Sequence, residues 1–209
     1  MQDRQIFLEG CKSLGINLTE DQMARIDEYA LLLDKWSRKI NIIGPETIPN
    51  IYSRHILDAA QLIPFVKSDD VILDIGAGAG IPSLILAILT DAKIYACERV
   101  GKKVQFMNEV KRQLKLGDQF FTLQEDAYKI DPEKYGFTLV TSRAFSELDN
   151  ILLAGKRVLK NGGRFVLLKG ASVKEEINKS TLIFDMTVEE KGSITFKDGK
   201  ILVLKPRST

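Results

Sequence analysis

Thirty Lys and Arg stand against 28 Asp and Glu in 209 residues, a formal charge of +2 that is too even for a tail bound by charge alone. At 44% hydrophobic and 28% charged, the chain is long enough and apolar enough to bury a full core, so disorder is excluded as its main state. The start MQDRQIFLEG is unlike a secretory leader, residues 71–89 are too interrupted for a membrane span, and two distant cysteines with one histidine exclude a zinc cluster and a disulfide scaffold. A cytoplasmic, monomeric protein with no metal and no membrane contact is the expectation.

The first seventy residues read as helices. A short one starts around Ile6, Phe7 and Leu8, and a longer one follows Thr19, whose hydroxyl can cap the turn Glu20-Asp21-Gln22. Its apolar positions Met23, Ile26, Ala30, Leu33 and Trp36 fall at three- and four-residue steps on one face. Gly44-Pro45 and Pro49 break the chain, and Ile51, Ile56, Ala59, Ala60 and Ile63 mark another helix that ends before Pro64. From Val71 short apolar runs alternate with amphipathic helices, the pattern of βα units on a parallel sheet. Strands are predicted at 71–75, 93–98, 119–124, 137–142 and 164–169. Helices are predicted at 82–90, 101–115 and 146–160, the last stopped by Asn161-Gly162-Gly163. Residues 181–189 and 199–205, with the turn Lys197-Asp198-Gly199 between them, read as an antiparallel hairpin closing one sheet edge. The division expected is a helical extension over residues 1–68 packed on a core over residues 69–209.

The strongest chemical signal is Asp74-Ile75-Gly76-Ala77-Gly78-Ala79-Gly80-Ile81-Pro82, between the first strand and the following helix. Glycines let the backbone turn sharply and approach a ligand, and the helix offers unpaired N–H groups. A dinucleotide fingerprint G-x-G-x-x-G requires glycine at position 81, which is Ile81, and no Gly-Lys-Ser/Thr follows for a phosphate loop. Glycine at 76, 78 and 80 is similar to the D-x-G-x-G-x-G loop of class I methyltransferases, which bind S-adenosyl-L-methionine (AdoMet). Glu98, twenty-two residues after Gly76, ends the second strand where a carboxylate can accept both hydroxyls of a ribose. At the third strand end, Asp126 or the Ala127-Tyr128 backbone is the expected adenine contact.

Lys102, Lys103, Lys111, Arg112 and Lys115 share one predicted helix. Any that gather near the glycine loop can hold RNA phosphates. His55 is more readily structural than a base.

These segments together resemble the RsmG (glucose-inhibited division protein B) family of bacterial 16S ribosomal RNA guanine-N7 methyltransferases. Trp36 to Asn41 is similar to W-N-x-x-x-N with Ser37 in second place, and Arg54-His55-Ile56-Leu57-Asp58 matches R-H-I-x-D. Lys102-Lys103 with Phe106 resembles K-R-x-x-F-L, Ser142-Arg143-Ala144-Phe145 matches S-R-A-F, and Leu168-Lys169-Gly170 matches L-K-G. Ser83, Ala59 and Tyr128 depart from the family's usual glycine, serine and glutamate. The resemblance implies a Rossmann-like class I fold with a seven-stranded mixed sheet, helices on both faces, AdoMet as cofactor and small-subunit ribosomal RNA, or an assembling small subunit, as partner. It implies cofactor contacts from Gly76, Ile81, Ala127, Tyr128 and Arg143, to which the residues themselves add Gly78, Gly80, Glu98 and Asp126. Arg143 and Lys169 are expected at the mouth of the cofactor pocket, where they position donor and acceptor without a general base. Lys102, Lys103, Arg54 and His55 are the RNA-facing candidates. The rivals are an AdoMet enzyme acting on a protein or small molecule, and an RNA-binding assembly factor without turnover.

Overall fold

Thr19 starts the longest helix by a reciprocal cap: its Oγ1 accepts from Gln22 N at 3.1 Å while the Gln22 side chain accepts from Thr19 N at 3.0 Å. In the computed structural model, which describes residues 2–143 and 146–207, this helix is α2 (Glu20–Ile40), preceded by α1 (Gln2–Ser13). Ile26, Ala30 and Leu33 are buried as the periodicity requires, with Met23 and Trp36 packed at the margin.

The helix expected before Pro64 is not continuous. A 3-10 turn (Pro45–Asn50) leads into a π-helical turn (Tyr52–Ile56), then the single α turn α3 (Leu57–Ala60). Asp3 of α1 takes the first amides, Tyr52 N at 2.7 Å and Ser53 N at 3.0 Å, and Leu57 N–H closes the wide turn on the Tyr52 carbonyl. Single π turns of this kind recur at functional sites.

The sheet is built from β1 (Val71–Ile75), β2 (Lys93–Cys97), β3 (Phe120–Leu123), β4 (Phe137–Arg143), β5 (Leu159–Lys169), β6 (Met186–Gly192) and β7 (Lys200–Pro206). Their order is β3-β2-β1-β4-β5-β7-β6, parallel except for β7, which runs antiparallel to both β5 and β6. The connecting helices are α4 (Ser83–Leu89), α5 (Gly101–Gln113), α6 (Pro132–Tyr135), α7 (Leu148–Lys156) and α8 (Val173–Thr181). One hydrophobic core joins α1, α2 and α3 to α4, α5 and one sheet face, and a second, on the other face, is covered by α7 and α8.

Two sequence expectations shift in the last third. Asn161-Gly162-Gly163 does not stop a long helix: α7 ends at Lys156, and the glycines lie within β5 where its pairing with β4 changes register. Residues 173–181, where the sequence pattern predicts no element before 181, form α8, and β6 begins at Met186, five residues later than expected.

Candidate active site

β1 lies between β2 and β4, so the chain leaves the centre of the sheet in opposite directions and opens a crevice at the carboxyl end of β1. The glycine loop fills that point. Gly76, Gly78 and Gly80 have φ of 73°, 58° and 73°, a left-handed region that side chains rarely tolerate. Gly80 has a second constraint, since an added Cβ would sit 2.3 Å from Leu84 Cδ1 of α4. The loop is pinned beneath by Gly76 N and Ala77 N, both donating to Cys97 O at 2.9 and 3.0 Å, and above by Tyr29 Oη of α2, donating to Ala79 O at 3.0 Å.

Glu98 is 8% exposed and braces the same loop: Oε2 accepts from Gly78 N at 3.0 Å and Oε1 from Val100 N at 2.9 Å. Each oxygen keeps a further lone pair for an incoming hydroxyl. Asp126 caps the turn after β3, accepting from Tyr128 N at 3.1 Å. Gly76, Glu98, Val100, Asp126, Ala127 and Tyr128 line one pocket of about 490 Å³, which Lys103 borders from α5. Val100, 48% exposed, supplies an apolar wall that the sequence did not mark, because an isolated valine after Arg99 carries no pattern. Gly78, Gly80 and Ile81 shape the loop, and Lys102 is exposed on α5.

Beneath the loop, Asp74 is fully buried, and burial pushes its carboxyl up to about 7. Its Oδ2 accepts from Ser83 N at 3.2 Å, while Oδ1 and Ser83 Oγ lack a partner among the described residues.

Arg143 and Lys169 line a different cavity, of about 420 Å³, between the carboxyl ends of β4 and β5, Asp58 and the loop joining β6 to β7. Arg143 is held by the segment that matches R-H-I-x-D. Its Nε lies 2.9 Å from Asp58 Oδ2, and Nη2 donates to Arg54 O at 3.3 Å and to His55 Nδ1 at 3.1 Å. The histidine tautomer follows from its other side. Thr47 Oγ1 spends its hydrogen on Gly44 O at 2.7 Å, so His55 Nε2, 2.8 Å away, is the donor and Nδ1 the acceptor. Burial, reinforced by the Arg143 charge, pushes His55 down to about 3, so it stays neutral and 6% exposed behind the arginine rather than facing RNA. Burial also raises the Asp58 carboxyl and lowers Arg143, so this ion pair fixes position at some cost in solvation.

Lys169 Nζ lies 2.6 Å from Glu176 Oε2 and donates to Ser146 O at 3.0 Å. Ser146 lines the glycine-loop pocket, so the two cavities meet at this contact. The Ala144-Phe145 half of S-R-A-F lies outside the described residues. Asp58 escaped assignment although it follows His55 by three residues, the spacing that puts both on one helical face. Among the described residues no cluster suits a metal ion, and no helix is long and apolar enough to cross a membrane.

The architecture is shared with methyltransferases of known structure. The ribosomal protein L11 methylase of Lactobacillus delbrueckii subsp. bulgaricus superposes with a TM-score of 0.60 at 14% identity, covering 73% of this chain and 78% of that one. The Methanococcus jannaschii fibrillarin pre-rRNA processing protein gives 0.56 at 20% identity, over 68% and 69%. These likenesses establish the class I AdoMet-dependent methyltransferase fold. In sequence, the chain is 34% identical to the ribosomal RNA small subunit methyltransferase G of Rhodospirillum rubrum over 90% of its own length and 92% of that protein's. It is 32% identical to the protein of the same name from Paramagnetospirillum magneticum, over 90% of each. Residues 22–204 match the family model described as rRNA small subunit methyltransferase G, and with a fold and glycine loop that agree, the chain belongs to that family.

Proposed function

We propose that this chain transfers the methyl group of AdoMet to N7 of a guanosine in small-subunit (16S) ribosomal RNA. The observation that carries the reading is the pair of adjoining cavities at the sheet's switch point, one bordered by Gly76 of the glycine loop with Glu98 and Asp126, the other presenting Arg143 and Lys169. The first fits the cofactor: Glu98 is an acceptor for ribose hydroxyls, Val100 and Ala127 offer apolar surface to adenine, and Gly76 and Gly78 allow close backbone approach. Asp126 or the Ala127-Tyr128 backbone meets the adenine edge. In this reading residues 1–68 are an extension serving the acceptor side of a core over residues 69–209, and the protein works as a cytoplasmic monomer.

When bound, AdoMet supplies a methyl group on a sulfonium, which leaves as a neutral thioether. Guanine N7 carries a lone pair and no hydrogen, so a C–N bond forms as the S–C bond breaks and no proton has to move. The protein's task is alignment and electrostatics. Arg143, fixed by Asp58, Arg54 O and His55, orients the acceptor, and Lys169, fixed by Glu176 and Ser146 O, holds the junction between donor and acceptor. Neutral His55 is a positioning residue in this scheme.

The test is incubation with small subunits that lack the modification and AdoMet labelled on its methyl group. Label should enter one guanosine and make that nucleotide cleavable by borohydride and aniline, the chemistry of 7-methylguanosine. Label on protein, on another base atom, or nowhere would overturn the proposal.

A further inference from the structure

A-form RNA hides N7 in a deep, narrow major groove that side chains cannot enter, so an enzyme acting there needs an unstacked base and a new surface to stack it on. The molecule offers one such surface outside the pocket for the cofactor. Phe196, in the loop joining β6 to β7, lines the 420 Å³ cavity and is 37% exposed, with the Arg54 guanidinium 5.3 Å from its ring centroid.

The loop that carries it is braced from the opposite end of the chain. Buried Gln61 accepts from Ile194 N at 2.7 Å, and Thr195 Oγ1 donates to Asp58 Oδ1 at 2.6 Å, the same carboxylate that holds Arg143. Ser193 N and Gly199 N close the turn on Gly199 O and Phe196 O at 2.9 and 3.0 Å. An aromatic residue on a loop held this firmly has little backbone freedom to lose on binding. Its neighbours Lys197 and Lys200 border the cavity and have no ion-pair partner among the described residues, unlike Arg143 and Lys169, whose charges are matched by Asp58 and Glu176.

We propose that this cavity receives the acceptor purine nucleotide, extruded from its RNA strand, with Phe196 stacking on the base and Lys197 and Lys200 meeting the flanking phosphates. The assignment rests on the function proposed above and adds to it the residues that grip the RNA. Stacking is indifferent to which base is presented, so Phe196 supplies affinity, while the Arg143 side of the cavity sets the orientation of N7.

The experiment compares wild type, Phe196→Ala, Phe196→Trp and the double variant Lys197→Ala with Lys200→Ala. Filter retention of unmodified small-subunit RNA is measured across salt, alongside single-turnover methylation and calorimetric AdoMet binding, with folding followed by circular dichroism. Phe196→Ala should weaken RNA binding and kcat/KM roughly 5- to 140-fold, the factor one lost base–aromatic stack corresponds to. Its AdoMet affinity should stay within about twofold of wild type, and Phe196→Trp should restore most of the loss, because an indole stacks as well as a phenyl ring. The lysine pair should flatten the dependence of log affinity on log salt by roughly 1.4, two single-strand phosphates. Wild-type RNA affinity in Phe196→Ala, or an equal loss of AdoMet affinity, would overturn the assignment. Because RNA retention needs no turnover, a wild-type protein that binds RNA through Phe196 but transfers no methyl group would refute the catalytic reading while upholding this cavity as the place where an RNA nucleotide is gripped.

Discussion

The two cavities are built in opposite ways. Around the glycine loop most bracing contacts are short-range: Glu98 grips amides 20 and 2 residues away, Asp126 caps an amide 2 residues on, and the longest, from Tyr29 to Ala79, spans 50 residues. Around Arg143 they are long-range, joining residues 88 apart in the His55 contact and 137 apart in the Thr195–Asp58 contact. The charges differ as well: Glu98, Glu125 and Asp126 outnumber Arg99 and Lys103 around the first cavity, whereas Arg143, Lys169, Lys197 and Lys200 outnumber Asp58 and Asp198 around the second. A small nucleoside can be held by consecutive βα turns, each a short stretch of chain. A polymer must be approached from several sides, which recruits the N-terminal helices and the C-terminal hairpin to one strand end.

This contrast is broken most directly at Arg143. Arg143→Ala strands the Asp58 carboxylate in the interior, a change expected to cost about 3 to 5 kcal/mol of stability and to abolish methyl transfer. Adding Asp58→Asn removes the stranded charge and should return much of the melting temperature but none of the activity. Recovery of activity together with stability would make Arg143 purely structural. On the other side, Glu98→Ala should weaken AdoMet binding by roughly 1.5 to 3 kcal/mol, the range for a charge-assisted hydrogen bond, and leave RNA retention unchanged. Calorimetry with unaltered AdoMet affinity in a folded variant would remove Glu98 from the cofactor site.

A pH-dependent effect separates the loop's foundation from its ligand face. Asp74 titrates near 7 when folded against about 3.8 when unfolded, so between those values the folded chain holds a proton that the unfolded chain has released. Stability from this group therefore falls as pH rises through that window. Asp74→Asn should match wild-type stability near pH 4 and exceed it at pH 8, by on the order of 4 kcal/mol. A gap that does not widen with pH would refute the buried proton. The smallest effect concerns His55, which is neutral across the working range with its pKa pushed down to about 3. Single-turnover methylation at saturating AdoMet should vary less than about threefold between pH 6.5 and 8.5. His55→Ala should slow it by loosening Arg143 without changing the shape of the profile, and a wild-type rate that climbs through a pKa lost in that variant would make His55 a base.

The amino-acid sequence by itself determined the parts whose physics is local. The Thr19 cap, the five parallel strands with α4 and α5 between the first three, and the loop in which only glycine suits φ at 76, 78 and 80 are each written in a few consecutive residues. Tertiary structure decided the rest. α8 carries only Val173 and Ile177 as apolar anchors in VKEEINKST, too few for a clear helical period, and is held from outside by Lys169 on Glu176 and by Ser180 on Asp149 of α7. His55 reads as a polar residue on a helix facing RNA until Thr47 and Arg143 close over it, and nothing in the sequence pattern singles out Phe196, whose loop Asp58 and Gln61 fix at the cavity. A side chain's partner across a hundred residues leaves no periodic trace in the chain, because only the folded sheet brings those segments within hydrogen-bond distance.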